Sequence, residues 1–491
     1  MVNTLTKNEV FNKLNLHRLE NVTMKDGLSI ISVKPNALIN DKRFDIMAKY
    51  IYAKFYDMNL NSSWGSRLYE EHIWVFNNYD EDDGSGKKGI ASFFTSFHAT
   101  LDSLKENGFD DRKSLLPIDE NNVPIEGAHR ITAALLYNKK VKAIKLSGKN
   151  TNYNYAFFKD KGLLSKWGDA IAYEYCKLKK ETVIVVLFPK AIEGKEHVKN
   201  ILKDFGAIYY EKNIELKKEG PRNLLLQLKR LKAFHLKAGD SDKIINHYFS
   251  NQYIISVFLL ETSTSANLSG LNTELNRLYS GSDYSPFYIS DTYKETLQLC
   301  QTFFNDNSIH FLNHSKPLNV EEAKKTINRC NEYIKKTGLD SEYFCVTDNT
   351  VLSVYGLKES TYIEYIQKEF INEDKNLFRF DNLICCNNDF RECKRSIDDI
   401  IFNPENHFYY EGIKFASLKM VKEVKKKQYN YEEIKAINHL LGKWPKNLNY
   451  KQLQYNLIKK IKITRLKIID IKLKSRLKYV GLVKRFIKSK V

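Results

Sequence analysis

Long apolar runs are missing from this chain. No stretch reaches 18 apolar residues, and the two most apolar, "VIVVLF" (183–188) and "YIISVFLL" (253–260), have the length of buried strands or core helices. The start, "MVNTLTKNEVFNKL", has no apolar centre, so a secretory signal is not expected. Cysteine is scarce too: there are seven, with no Cys-x-x-Cys pair, and "CCNNDFREC" (Cys385, Cys386, Cys393) lacks zinc-ligand spacing. An odd count without a pairing pattern predicts reduced thiols in a cytoplasmic protein, rather than disulfides or metal ligation.

Acidic residues are nearly absent from one region only. The net charge is +19, yet residues 451–491 alone hold 14 Lys/Arg against the single Asp470. The rest of the 491-residue chain is therefore close to neutral for its size. This is an ordinary body with a basic tail, which weakens any nucleic-acid reading that needs a charged face on the folded part. With 43% hydrophobic residues, the body can bury a core, and its length predicts two to four domains.

The pattern along the chain is mixed α/β (α+β) and multidomain. Residues 1–150 alternate short strands ("LSIISVK", "VKAIKL") with helical stretches ("RFDIMAKYIYAKFYDMN", "SFFTSFHATLDSLKENG"). Between them, "NYDEDDGSGKKGI" (78–90) reads as an exposed flexible loop, and "SGKNTNYN" (147–154) as a polar break. Residues 151–285 form an α/β middle domain with "TVIVVLF", "EGKEHVKNILKDFG" and "AIYYEKNIEL" in strand–helix–strand order. A third domain spans 286–440; Ser290 or Asp291 can cap its first helix, opened by Thr-x-x-Glu. His310 and His314 lack the Glu of a zinc-protease helix, and packing is the expected role. The tail, 441–491, follows.

The segment "VPIEGAHRITAALLYNKKVKAIKL" (123–146) carries the sharpest chemistry. A strand that runs through Glu-Gly straight into a helix exposes the unpaired N–H groups of the first helical turn, a ready anion site. Gly127 admits close approach, Arg130 can fork two phosphate oxygens, and His129 can donate a contact or move a proton. The bland alternatives are that Arg130 pairs with Glu126 and that His129 is a satisfied packing residue.

The order strand, turn, strand, Gly-x-His-Arg, helix, basic turn, strand over 114–146 resembles the ParB/sulfiredoxin-like superfamily. The resemblance implies a small α/β core in which Gly127, His129 and Arg130 hold the phosphates of ATP or another nucleoside triphosphate. Members of that superfamily include CTP-binding partition proteins, sulfiredoxin and kinases acting on free serine. Ala128 stands where sulfiredoxin would carry its reactive Cys, so sulfinic acid repair is not expected. No helix-turn-helix segment follows, so neither is plasmid partition. Phosphoryl transfer needs a carboxylate or imidazole to take the acceptor's proton, and Mg²⁺ with the nucleotide. Glu126, and Glu70, Glu71 and His72 of "RLYEEHIWVF", are the candidates.

"TDNTVLSVYGLKESTYIEYI" (347–366) resembles the nucleotidyltransferase fold, in which a Gly-Ser loop takes the nucleotide and two alternate carboxylates on one strand hold Mg²⁺. Here Asp348-Asn349 replaces Gly-Ser, Lys358 replaces Arg, and the carboxylate pair becomes Tyr362 and Glu364. "FYYEGIKFASLKMVKEVKKKQ" (408–428), with Lys414, suits that fold's strand-to-helix passage. The resemblance implies a relative that has lost one metal ligand, and so a binding or scaffolding remnant. An unrelated α/β domain with a Tyr-Gly-Leu turn is the alternative.

In the tail, Leu466, Ile469, Leu473, Leu477, Val480, Val483 and Ile487 recur every three or four residues among Lys and Arg. That predicts a basic amphipathic helix suited to an anionic membrane surface, with nucleic acid or a partner helix as alternatives. Together these features predict a kinase-like phosphotransferase, peripheral to the inner membrane face. Its substrate would be a small-molecule acceptor such as a sugar in bacterial cell-surface polysaccharide biosynthesis. A ParB-like nucleic-acid-binding protein or nuclease is the second reading, and a nucleotide-gated scaffold without catalysis the third.

Overall fold

The computed structural model describes residues 4–11, 13–14, 27–81, 84, 86–148, 151–217, 219–230, 241–249, 253–262, 266–280, 285–316, 320–368, 382–387 and 395–442. Residues 443–491, nearly all of the basic tail, lie outside the described residues. The described chain is a mixed α/β protein built on three larger sheets and a two-stranded ribbon. Among the described residues, no helix is long and apolar enough to cross a membrane.

The first sheet has three strands in the order Ile31–Val33, Val141–Lys145, Leu116–Ile118. The last two run parallel and are joined through the helix Ala128–Leu136. Leu116–Ile118 is buried throughout, and Val141, Ala143 and Ile144 turn inward from the central strand. Asp119 shapes the intervening turn by accepting from the N–H groups of Asn121 (2.8 Å) and Val123 (2.7 Å). The expected second strand over "VPI" is reduced to a single bridge between Ile118 and Pro124. Pro124 has no N–H to donate to a ladder. Helices Phe44–Asp57, Trp64–Asn77 and Ile90–Asn107 pack beside this sheet on apolar faces that include Phe44, Leu68 and Phe97.

The second sheet has four antiparallel strands in the order Gly206–Glu215, Ile254–Thr262, Thr182–Leu187, Phe287–Ile289. The chain order is β-α-β-β-α-β with helices Gly220–Arg230 and Ser241–Phe249 set between the second and third strands. Its two crossover helices, Lys195–Phe205 and Ala266–Leu278, cover one face through Val198, Leu202, Leu271 and Leu275. The other face, with Ile184, Val186, Val257 and Leu259, joins the core of the first unit. That core runs from Leu38 to Phe304, across residues 150 and 285, while a separate core begins at Phe311 and ends at Leu440. Helix Tyr293–Phe303 is capped by Thr292, one or two residues beyond the expected caps: its hydroxyl accepts from Glu295 N–H, and Glu295 in turn accepts from Asp291 N–H.

The third sheet is mixed, ordered Leu383–Cys385, Ile363–Gln367, Phe344–Val346, Ile413–Ala416, His407–Tyr410. Hydrogen bonds from Asn61 and Ser62 to Asp398 and Asp399, and ion pairs from Arg67 and Lys166 to Glu405, fasten this unit to the first.

Candidate functional site

The helix Ala128–Leu136 begins at Gly127, whose φ of +82° is left-handed. A Cβ there would lie 2.3 Å from Leu116, so glycine is required by both backbone and space. No side chain caps this helix. The N–H groups of Ala128, His129 and Arg130 meet no acceptor among the described residues, and intrahelical bonding begins with Ile131 N–H to Gly127 carbonyl, 3.0 Å. These donors open into a cleft of about 270 Å³ walled by Arg43, Asp45, Lys49, Glu81, Lys87 and Glu126.

The back wall is a buried charge cluster that the local pattern did not reveal. Arg43 forks Asp45 at 2.8 and 3.0 Å and reaches the Pro124 carbonyl at 2.5 Å, tying helix Phe44–Asp57 to the motif turn. Lys49 Nζ lies 2.9 Å from Asp45 and 3.3 Å from Nε2 of His72. Burial alone would raise Asp45, but the two cations outweigh it and hold its carboxyl well below the usual range. His72 is held well below the usual imidazole range by burial and by Lys49, and stays neutral. Asp45 and Lys49, four apart in the otherwise mainly apolar first half of the helix, are the signal available in sequence.

His129 lines the cleft with its ring stacked on Phe97, centroids 4.3 Å apart. The Tyr69 hydroxyl lies 2.9 Å from its Nε2. Burial and the charges of Lys49 and Lys87 push its pKa down, so the ring is neutral. Among the described residues this imidazole nitrogen is the hydroxyl's one hydrogen-bond partner; a phenol donating to it leaves the proton on Nδ1, which can then serve as a donor.

Arg130 is less free than its sequence position suggests. It ion-pairs with Glu126 at 3.1 Å and donates to Ser114 Oγ (2.7 Å) and the Leu115 carbonyl (3.1 Å). The simpler of the two sequence readings, a pair with Glu126, is therefore present, and Arg130 braces the turn while still bordering the cleft. Glu126 is 6% exposed and lines the cleft. Glu71 and His72 do not line it: both are buried in helix Trp64–Asn77, and His72 reaches the site through Lys49 and through Phe76, on which its ring stacks.

The nucleotidyltransferase-like residues divide. Asp348 and Asn349 open a helix after strand Phe344–Val346, and Glu364 on strand Ile363–Gln367 folds back onto them. It accepts from Asn349 N–H (2.6 Å) and Nδ2 (2.9 Å). Lys358 and Lys425 both donate to Asn349 Oδ1, at 3.1 and 2.9 Å, and Lys425 pairs with Asp348 at 2.6 Å. Lys414 is elsewhere, in strand Ile413–Ala416, with Nζ 2.8 Å from the Glu342 carbonyl. His310 and His314 stack at 4.2 Å, and His310 also meets the Tyr355 hydroxyl at 3.2 Å. Among the described residues, no group of three or more His, Cys, Asp or Glu is arranged to hold a metal ion.

Compared with known proteins, the chain matches no family model, no curated protein and no solved structure.

Proposed function

We propose that the chain is a nucleoside-triphosphate-dependent phosphotransferase whose triphosphate sits at the start of helix Ala128–Leu136. One observation carries the reading: three backbone N–H groups that meet no acceptor among the described residues open into a cleft that also bears buried Arg43 and Lys49. Such donors, at the positive end of a helix dipole, bind anionic oxygens with little reorganisation. Gly127 gives the close approach a phosphate needs, and His129 Nδ1–H adds a neutral donor.

Of the four candidate bases Glu70, Glu71, His72 and Glu126, Glu126 alone borders the cleft. In the proposed step an acceptor hydroxyl attacks the γ-phosphorus, its proton passes to the Glu126 carboxylate, and the bond to the β-phosphate oxygen breaks to release the diphosphate. Mg²⁺ carried by the triphosphate would meet Glu126 and Glu81, which share this cleft. The basic tail supports action at an anionic membrane surface, and with it an acceptor such as a sugar of bacterial cell-surface polysaccharide.

Incubation with ATP, Mg²⁺ and candidate acceptors tests the reading through acceptor-dependent ADP. Absence of both turnover and calorimetric nucleotide binding would end it. For the third unit we propose a scaffolding role, because Asp348, Asn349 and Glu364 are already engaged with one another, Lys358 and Lys425.

A further inference from the structure

A second cavity, of about 260 Å³, lies where the third unit meets the first core, and none of the motifs above accounts for it. Its apolar wall includes Phe55, Trp64 and Phe402, brought from two different cores. Its polar wall gathers Lys177, Glu342, His407 and Lys414.

The wall charges largely answer one another. Lys54 pairs with Glu174 at 2.5 Å, and Lys177 lies 3.5 Å from Glu174 and 3.6 Å from Glu342. Lys414 Nζ is 3.7 Å from the same Glu342 carboxylate. The Tyr173 hydroxyl donates to Glu342 at 3.1 Å and accepts from Gln301 at 2.9 Å. Asp340 sits at the rim. A ligand bearing net charge would meet the wrong sign on one side or the other.

Hydrogen-bonding capacity is left over in both senses. Lys177 approaches its carboxylates at ion-pair distances, longer than ordinary hydrogen bonds, and Lys414 spends one N–H on the Glu342 carbonyl. His407 Nδ1 lies 3.0 Å from the Ile400 carbonyl, which can only accept, so Nδ1 carries the proton. Burial and Lys414 push this histidine down to about 3, so the ring is neutral. Its Nε2 lone pair receives no hydrogen bond from any described residue. A carboxylate or phosphate could accept from the lysines, but it could not donate to Nε2 and would crowd Glu342. A hydroxyl does both: it accepts from an ammonium and donates to the imidazole. Aromatic faces beside such donors and acceptors suit the apolar face of a ring.

We propose that this junction cavity binds an uncharged, polyhydroxylated ring compound, a free sugar or a nucleoside, with hydroxyls between the Lys177 and Lys414 ammoniums and His407 Nε2. The site is separate from the triphosphate cleft. It stands independently of the phosphotransferase reading.

Calorimetric titration of the full chain with glucose and, separately, adenosine tests the proposal at millimolar concentrations. Saturable binding of either probe is expected, and which one binds distinguishes the sources. Lys177→Met and His407→Phe should each weaken that binding at least tenfold, while Arg277→Ala, on the exposed face of helix Ala266–Leu278 and outside the cavity lining, leaves it unchanged. Lys177 is partly exposed, so its variant keeps the test valid if His407→Phe fails to fold. No saturable binding of either probe, or affinity unaltered in Lys177→Met, would overturn the assignment.

Discussion

Tyr69 places its hydroxyl 2.9 Å from Nε2 of His129, and this single contact sets which ring nitrogen faces the triphosphate cleft. With Nε2 accepting, Nδ1–H is the donor available to a phosphate oxygen. Tyr69→Phe removes that control and leaves a buried nitrogen unpaired. Nucleotide affinity should fall about fivefold to tenfold, with a stability loss of roughly 1–3 kcal/mol. Calorimetry and urea unfolding read the two effects separately; unchanged affinity would remove His129 from the phosphate site.

The Arg43–Asp45–Lys49 cluster should behave as a structural brace as well as a wall. Arg43→Ala leaves Asp45 buried with one cation fewer, at a cost of about 3–5 kcal/mol. Arg43→Lys keeps the charge but loses the fork and the reach to Pro124, and should recover only part of that loss. Chemical unfolding of both variants checks the order.

Three buried histidines and the half-buried His129 give the fold its pH dependence. Burial first, and nearby cations or His314 next, hold His72, His129, His310 and His407 below their ordinary value, with His310 and His407 at about 3. In the unfolded chain each takes a proton below about pH 6.5. The unfolded state then binds more protons, so stability falls as pH drops through about 6.5 and keeps falling toward the folded values. Between pH 6.5 and 5, His310 and His407 should each cost roughly 2 kcal/mol. Asp45 contributes on a lower limb: its stabilisation is full above about 3.9 and is lost on further acidification. Unfolding curves from pH 7 to 5 test this, and a flat profile would contradict neutral buried rings.

The third unit should transfer no nucleotide. Glu364 is bonded to Asn349, and Lys425 is shared by Asp348 and Asn349, so these side chains already engage one another. Label in the α-phosphate of ATP should therefore not reach any acceptor, while γ-label does. Lys358→Ala should leave ATP affinity within about twofold. Incorporation of α-label would restore nucleotidyl transfer as a function.

Deleting 451–491 should release the chain from anionic vesicles in a flotation assay, and high salt should weaken the intact chain's attachment. Retained vesicle binding with lost RNA or duplex binding would favour the nucleic-acid reading.

How much was legible follows from the range of each signal. The turn, glycine, helix and strand of 114–146 are set by neighbours a few residues apart, and the motif positions Gly127, His129 and Glu126 all border the cleft. Arg43 and Lys49 escaped because their meaning depends on a helix packing against the motif turn, a contact between distant segments. Glu71 and His72 were plausible acids and bases by type, but the face of their helix that carries them turns into the core. Phe287–Ile289 reads locally as the start of a new segment, yet it completes the four-stranded sheet by pairing with Thr182–Leu187. The junction cavity, built by Lys177 from one core and Glu342 and His407 from beside the other, has no local pattern at all.

The most direct test of the central claim is amide NMR of the full chain titrated with ATP and Mg²⁺, with adenosine as control. The account predicts saturable shifts at the N–H groups of Ala128, His129 and Arg130 with ATP, and none there with adenosine. Unmoved resonances at these three amides under saturating ATP would contradict it.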